Sequence, residues 1–262
     1  MKKSLYYYLY VNDKFLDNQI THIHKKLLTR YLHIFDEAHF FIAVDDLYNL
    51  RNFNIGCDWV NDIINTTNKD IKFDYHLLQN NIFRESQMVI QEILPKMVQN
   101  RNELCFIAHN KGTTNSLNTS IIKWVSGLWY YSCEFVDEID KIMSNGQNVM
   151  YGPFKTRFVQ RRDSIIQTHN TIYCGGFYWI NPSKYIENSI NKDFKFDNIL
   201  IPRYFSENLP MSLNYTCLSS HNNVTFDGSE HNLYEDTDEK WEITLNKCGE
   251  KEEFLQLINN LL

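Results

Sequence analysis

This 262-residue chain has no CxxC pair, no block of basic residues, and no apolar run near the ~20 residues of a membrane span. Each absence removes a class of function. The six cysteines (Cys57, Cys105, Cys133, Cys174, Cys217 and Cys248) are too widely spaced for a zinc ribbon or a dense disulfide framework. Several sit inside apolar runs, where cysteine behaves as a small hydrophobe, so a reducing cytoplasm is the expected compartment. Net charge is −6 with lysine and arginine scattered, which argues against a nucleic-acid partner. The one compact basic cluster, Arg157, Arg161 and Arg162, reads as a solvated loop.

Reaction templates are missing as well. There is no Gly-x-Ser-x-Gly elbow and no His-Glu-x-x-His, which excludes the common hydrolase patterns. No Walker loop occurs, and no GxGxxG follows the first strand, so a dinucleotide role is unsupported. Lys2 and Lys3 before Leu5–Val11 imitate a signal peptide, but the run is short, rich in tyrosine and lacks a small-residue cleavage site. It reads as a buried first strand.

What is present is material for a packed core: 43% hydrophobic and 15% aromatic residues. Strand-like and helix-like runs alternate through the first half. Strands are expected at Leu5–Val11, His39–Val44, 71–78 and Leu104–Ala108. Between them, 17–35 carries Ile20, Ile23, Leu27, Leu28, Tyr31 and Ile34 on one helical face, with Asp17 placed to cap it. A second helix runs through Trp59, Val60, Ile63 and Ile64, and a third over Glu85–Val98. Further on, Ile121–Met143 reads as one helix, Tyr173–Ile180 as a strand entered through paired glycines, and 214–245 as polar loop with short strands. The expectation is a single α/β domain over 1–262 with a mixed, mostly parallel sheet flanked by helices.

In such sheets ligands sit beyond the carboxyl ends of the strands. Four polar strand ends would meet there: Asn12-Asp13, Asp45-Asp46, Arg84-Glu85 and His109-Asn110-Lys111-Gly112. The last offers a cation, a ring nitrogen and backbone donors to a phosphate, with Gly112 allowing close approach.

The order of several motifs resembles the GT-A glycosyltransferases that build bacterial and viral capsules and surface glycans. The matching residues are Tyr8-Leu9-Tyr10-Val11-Asn12-Asp13, Arg84-Glu85-Ser86, Phe106-Ile107-Ala108-His109-Asn110-Lys111-Gly112, Trp124-Val125-Ser126-Gly127 and Gly175-Gly176-Phe177-Tyr178-Trp179-Ile180-Asn181. The resemblance implies a nucleotide-sugar-binding half over 1–115 and an acceptor-side half over 116–262. By the same resemblance, Tyr10, Val11, Asn12 and Asp13 would border the donor, with Arg84, Glu85, Asn110 and Gly112 contacting it. Gly175 and Gly176 would line the acceptor cleft, with Trp179 as a stacking face.

Where many such enzymes carry Asp-x-Asp for a divalent metal, this chain has His109-Asn110-Lys111. Lys111 would then neutralise the leaving diphosphate. Alternatively His109 would ligate Mn²⁺ or Mg²⁺ together with a distant His221. Glu207 is the leading base for an inverting transfer, with Asp163 and Asp197 as weaker choices. The implied partners are a UDP- or dTDP-type sugar donor and a glycan or lipid-linked acceptor; the latter would bring a cytoplasmic enzyme to the inner membrane surface. Two alternatives stay open: a non-catalytic carbohydrate-binding relative, and a nucleotidyltransferase.

Overall fold

The sheet is built outward from β1 (Lys2–Tyr10), whose backbone is paired on both edges. On one side lies β2 (Glu37–Val44), parallel and in register from Ser4↔Glu37 to Tyr10↔Ala43. On the other lies β4 (Glu103–His109), parallel from Lys2↔Glu103 to Tyr8↔His109. β3 (Lys72–Gln79) pairs parallel with the outer edge of β2. The computed structural model describes residues 1–48, 50–67, 69–80, 92–93, 96, 99, 102–110, 113, 119–144, 150–152, 156–162, 165–172, 177–183, 215–216, 226–227 and 251–261.

Beyond β4 the direction changes. β8 (Tyr178–Ile180) runs antiparallel to β4, and β5 (Met150–Tyr151) antiparallel to β8. β9 (Tyr215–Thr216) then pairs parallel with β5, giving the order β3-β2-β1-β4-β8-β5-β9. The sheet is therefore mixed, and the expectation of a mostly parallel sheet holds only for its first four strands. An apolar run of three or four residues reads the same in either direction, so local pattern carries no sign of the reversal.

A second, three-stranded sheet holds β6 (Thr156–Arg162) and β7 (Ile165–Ile172) as an antiparallel hairpin, with β10 (Phe226–Asp227) parallel to β6. Arg157, Arg161 and Arg162 thus belong to a strand, not to the loop that their charge suggested.

The helices follow from their apolar stripes. α1 (Gln19–Tyr31) buries Ile20, Ile23, Leu27, Leu28 and Tyr31, as its spacing predicts. Its cap is Asn18 rather than Asp17: the Asn18 side chain accepts from the backbone N–H groups of Ile20 (2.8 Å) and Thr21 (3.4 Å). A short 3₁₀ turn, Leu32–Ile34, closes it. α2 (Leu50–Thr66) buries Gly56, Trp59, Val60 and Ile63. The run expected as one helix over Ile121–Met143 is two, α3 (Thr119–Cys133) and α4 (Val136–Ser144), broken at Glu134 and Phe135. At that break Tyr31 and Arg30 of α1 both hold the Glu134 carboxylate, at 3.0 and 3.3 Å. A tertiary contact thus marks the break. α5 (Lys251–Leu261) lies on α3, with Phe254 buried against Tyr130 and Tyr131 and Glu253 accepting from the Tyr130 hydroxyl. Of the helix expected over Glu85–Val98, only positions 92–93 and 96 are described, and they are helical.

One sheet face carries the apolar core. Leu5, Tyr7 and Leu9 of β1, Phe40 and Ile42 of β2, and Leu104 and Phe106 of β4 pack there with helix residues such as Leu28, Trp59 and Trp129. Among the polar groups buried with it is His24, whose Nδ1 accepts from the Trp129 indole N–H (3.3 Å) and lies 3.2 Å from the Tyr7 hydroxyl. No helix among the described residues is long and apolar enough to cross a membrane.

Two expectations follow. At Gly56 an added Cβ would lie 2.8 Å from Ile42 Cγ2 and 3.1 Å from Val11 Cγ2, both on branched side chains of the buried sheet. Gly56→Ala should therefore lower stability in urea unfolding by about 1–3 kcal/mol, although alanine is the better helix former by about 1 kcal/mol. A more stable variant would show that α2 has room to move.

Asp36 accepts from the Lys3 backbone N–H (2.9 Å) and the Lys69 ammonium (3.0 Å). Burial pushes its carboxyl up, and these two partners outweigh that and hold it below the usual 3.8. A depressed carboxylate contributes stability that is complete above the unfolded pKa and lost as pH falls through the folded one. Because this group is half exposed, Asp36→Asn should cost less than about 1 kcal/mol at neutral pH. The gap between variant and parent should close as pH drops below 4, and a constant gap would refute the assignment.

Candidate functional site

The carboxyl ends of β1 and β4 form the crevice where the strand order turns back on itself, since β2 and β3 leave β1 on one side and β4 on the other. Open α/β sheets place ligands at such a point. Here it is held by a single side chain. The Asn110 carboxamide accepts from the Tyr10 N–H (3.0 Å) and donates to the Tyr10 carbonyl (2.8 Å), repeating with an amide what a neighbouring strand does with its backbone. Asn110 is buried, and its own N–H donates to the Tyr8 carbonyl (3.2 Å). The turn that follows is tied to the start of α1, since Asn18 donates to the Thr113 carbonyl (2.6 Å).

Beside this clasp, across the ends of β1 and β2, lies an open cleft of about 480 Å³ lined by Tyr10, Asn12, Asp13, Lys14, Asp45, Asp46 and Asn52. Its polar groups are positioned by one another. The Tyr10 hydroxyl donates to Asp45 Oδ2 (2.9 Å), and Asn80 donates to Asp45 Oδ1 (2.8 Å). Asn80 in turn accepts from the Tyr8 hydroxyl (3.2 Å) and donates its N–H to the Val44 carbonyl (2.8 Å). Asn52, in the first turn of α2, donates to Asp13 (3.2 Å), and Asn12 accepts from the Lys14 N–H (3.0 Å). Three carboxylates and one ammonium make an acidic wall rich in acceptors, suited to hydroxyl and amide donors and, as oxygen ligands, to a hard divalent cation.

Of the expected donor residues, Tyr10, Asn12 and Asp13 therefore line one cleft. Val11 does not face it: its side chain is fully buried towards Gly56, and only its backbone continues the β2 pairing through Ala43. Asn110 uses one acceptor and one donor position of its amide on Tyr10, which leaves one of each. His109 is 6% exposed, with its ring 5.6 Å from Phe177. Trp179 lies on β8, away from the cleft lining. It is fully buried, stacked on Phe106 (4.8 Å) and Phe35 (5.6 Å), with its indole N–H donating to the Ser132 carbonyl (2.7 Å), so it serves the core and offers no face to an acceptor. Arg84, Glu85, Lys111, Gly112, Gly175, Gly176, Glu207 and His221 lie outside the described residues, as do Asp163 and Asp197. Sequence reasoning missed Asn52, which only the packing of α2 beside β1 brings to the rim.

The opposite end of the same β2–β3 face holds a second cluster. His39 Nδ1 meets Asp74 Oδ1 at 2.7 Å, and His76 Nε2 meets the same oxygen at 3.0 Å. Burial pulls the His39 imidazole below its usual 6.5 against the opposing pull of Asp74. Burial would push the Asp74 carboxyl up, but His39, His76 and Lys96 together hold it below the usual range.

No protein-family model matches the chain, and no curated protein matches it.

The clasp can be checked directly. Asn110→Ala removes both bonds that the Asn110 amide makes to the Tyr10 backbone at a partly buried strand end, and should cost about 1–3 kcal/mol in urea unfolding. A cost below about 0.5 kcal/mol, typical of a surface substitution, would mean that Asn110 is not what holds this crevice.

Proposed function

We propose that this chain is a glycosyltransferase that moves a sugar from a UDP- or dTDP-type donor to a glycan or lipid-linked glycan acceptor. The observation that carries the reading is the convergence of Tyr10, Asn12, Asp13 and Asp45 on one cleft, at the carboxyl ends of parallel strands and beside the switch point. Its position is where the GT-A resemblance expects a nucleoside. The division of the sheet supports the same reading: a parallel half over β1 to β4 is followed by a half with reversed and very short strands.

The chemistry of the lining fits a polyhydroxylated ligand. Asp45, fixed by Tyr10 and Asn80, keeps acceptor capacity for ribose or sugar hydroxyls, and Asn12 and Asn52 carry amides for a base edge. A diphosphate needs cations that this wall lacks beyond Lys14. In this reading Lys111, or Mn²⁺ or Mg²⁺ held by oxygen ligands, supplies them and stabilises the leaving group. Glu207 would take the acceptor proton as the new glycosidic bond forms with inversion.

The test is thermal unfolding with a panel of nucleotides and nucleotide sugars, with and without Mn²⁺. A ligand present at 100 times its dissociation constant adds about 2.7 kcal/mol, a readily visible rise in melting temperature. We expect UDP- or dTDP-sugars to give that rise, and Asp45→Asn to weaken binding at least about tenfold, the range of a lost hydrogen bond to a charged group. If no nucleotide raises the melting temperature while free sugars do, the chain is a carbohydrate-binding relative and the donor site does not exist.

A further inference from the structure

We propose that His39, Asp74 and His76 form a binding site for a divalent transition metal of the zinc type, separate from the cleft and independent of the glycosyltransferase reading. Their ligand atoms all lie within 4.8 Å of one another. The arrangement comes from strand geometry. His39 and Asp74 are register partners across β2 and β3, and His76 stands two residues on from Asp74, on the same face. Two imidazole nitrogens and one carboxylate oxygen are a donor set that zinc takes, with a fourth position left for water.

Hydrogen bonding leaves this cluster in conflict. His76 Nε2 lies 3.0 Å from Asp74 Oδ1 and 3.1 Å from the Lys96 ammonium. One ring nitrogen cannot donate to a carboxylate and accept from an ammonium at once. With Nε2 unprotonated, the cluster presents a nitrogen lone pair and a carboxylate oxygen to the same small volume, beside the Lys96 ammonium. A metal bound to both resolves the conflict, and Lys96 moves aside.

The surroundings fit ligation too. His39 is buried between strands, its ring stacked 4.7 Å from Tyr6, while its Nε2 faces Glu37 Oε1 at 3.7 Å. With Nδ1 on the metal, the ring proton belongs on Nε2, towards Glu37, which is held by Lys2. A carboxylate behind a ligating histidine fixes its tautomer and orientation. The His76 ring is stacked 4.6 Å from Phe41. Along β3, at roughly 3.3 Å per residue, His76 lies about 13 Å and Asp74 about 20 Å from Asn80, which holds Asp45 of the cleft. The site's effect would be to staple the exposed edge strand β3 to the buried β2.

The experiment uses the full chain, stripped of metal by chelation, and titrates Zn²⁺ by calorimetry at pH 7, with Co²⁺ absorption as a reporter of four-coordinate geometry. One equivalent should bind, the melting temperature should rise, and excess Mg²⁺, which prefers oxygen ligands, should not compete. His76→Gln and Asp74→Asn, both on the exposed strand, should each weaken Zn²⁺ binding at least about tenfold while their metal-free forms melt close to the parent. Asp74→Asn alone decides if His76→Gln fails to fold. No binding of Zn²⁺, or binding that both variants retain at parental strength, overturns the proposal and leaves the cluster as a hydrogen-bonded network.

Discussion

The main sheet depends on β1 being paired along both edges. A strand hydrogen-bonded to β2 on one side and β4 on the other has no freedom of register, so each of its side chains is committed to a face. A slip of one residue would send Leu5, Tyr7 and Leu9 to the polar side and Tyr6, Tyr8 and Tyr10 into the core. The four tyrosines make this costly in both directions, because each hydroxyl has a particular partner. Tyr6 reaches Glu103 (3.2 Å), Tyr7 reaches His24 (3.2 Å), Tyr8 reaches Asn80 (3.2 Å) and Tyr10 reaches Asp45 (2.9 Å). The Tyr6 and Tyr7 bonds are buried, where a hydroxyl without a partner is expensive, so they help to specify the register alongside the apolar burial.

The two faces of the sheet solve different problems. The face bearing Tyr7 and Phe40 is apolar and closes against α1, α2 and α3 by aromatic packing, with Trp129 touching Tyr7, Tyr31 and Phe106. The face bearing Tyr6, Tyr8, His39 and His76 is mixed, and its charges survive near the core because they come in sets. Glu103 is buried with Ser4 and Tyr6 donating to it and Lys2 nearby at 3.6 Å. Further along, Asp74 sits between two histidines, and at the strand ends Asp45 sits between Tyr10 and Asn80. A polar track therefore runs the length of one sheet face, from a closed network at one end to an open cleft at the other. The His39, Asp74 and His76 cluster and the cleft at Tyr10 and Asp45 both lie along it.

Much of this was legible in the sequence because it is local. The apolar runs located β1 to β4 to within a few residues, and the 3.6-residue stripe located α1 and α2. The place of Tyr10, Asn12 and Asp13 at a strand end was legible because polar residues closing an apolar strand must lie there. What escaped was long-range. Asn110 has the composition of a ligand-binding turn and acts as a clasp, since its partner Tyr10 is remote in sequence. Trp179 is aromatic and near glycines, as a stacking face would be, but the reversed strand β8 carries it beneath Phe35 and Phe106.

The sequence by itself determined the alternation of strands and helices, the apolar faces, and the polar character of the strand ends. These depend on periodicity and composition within one element. Tertiary structure alone decided the direction of β8, the break between α3 and α4, the place of Asn52 at the cleft, and the meeting of His39 with Asp74 and His76. Each of these depends on which segments lie side by side, and a hydrogen-bond partner thirty or a hundred residues away leaves no mark on the local pattern.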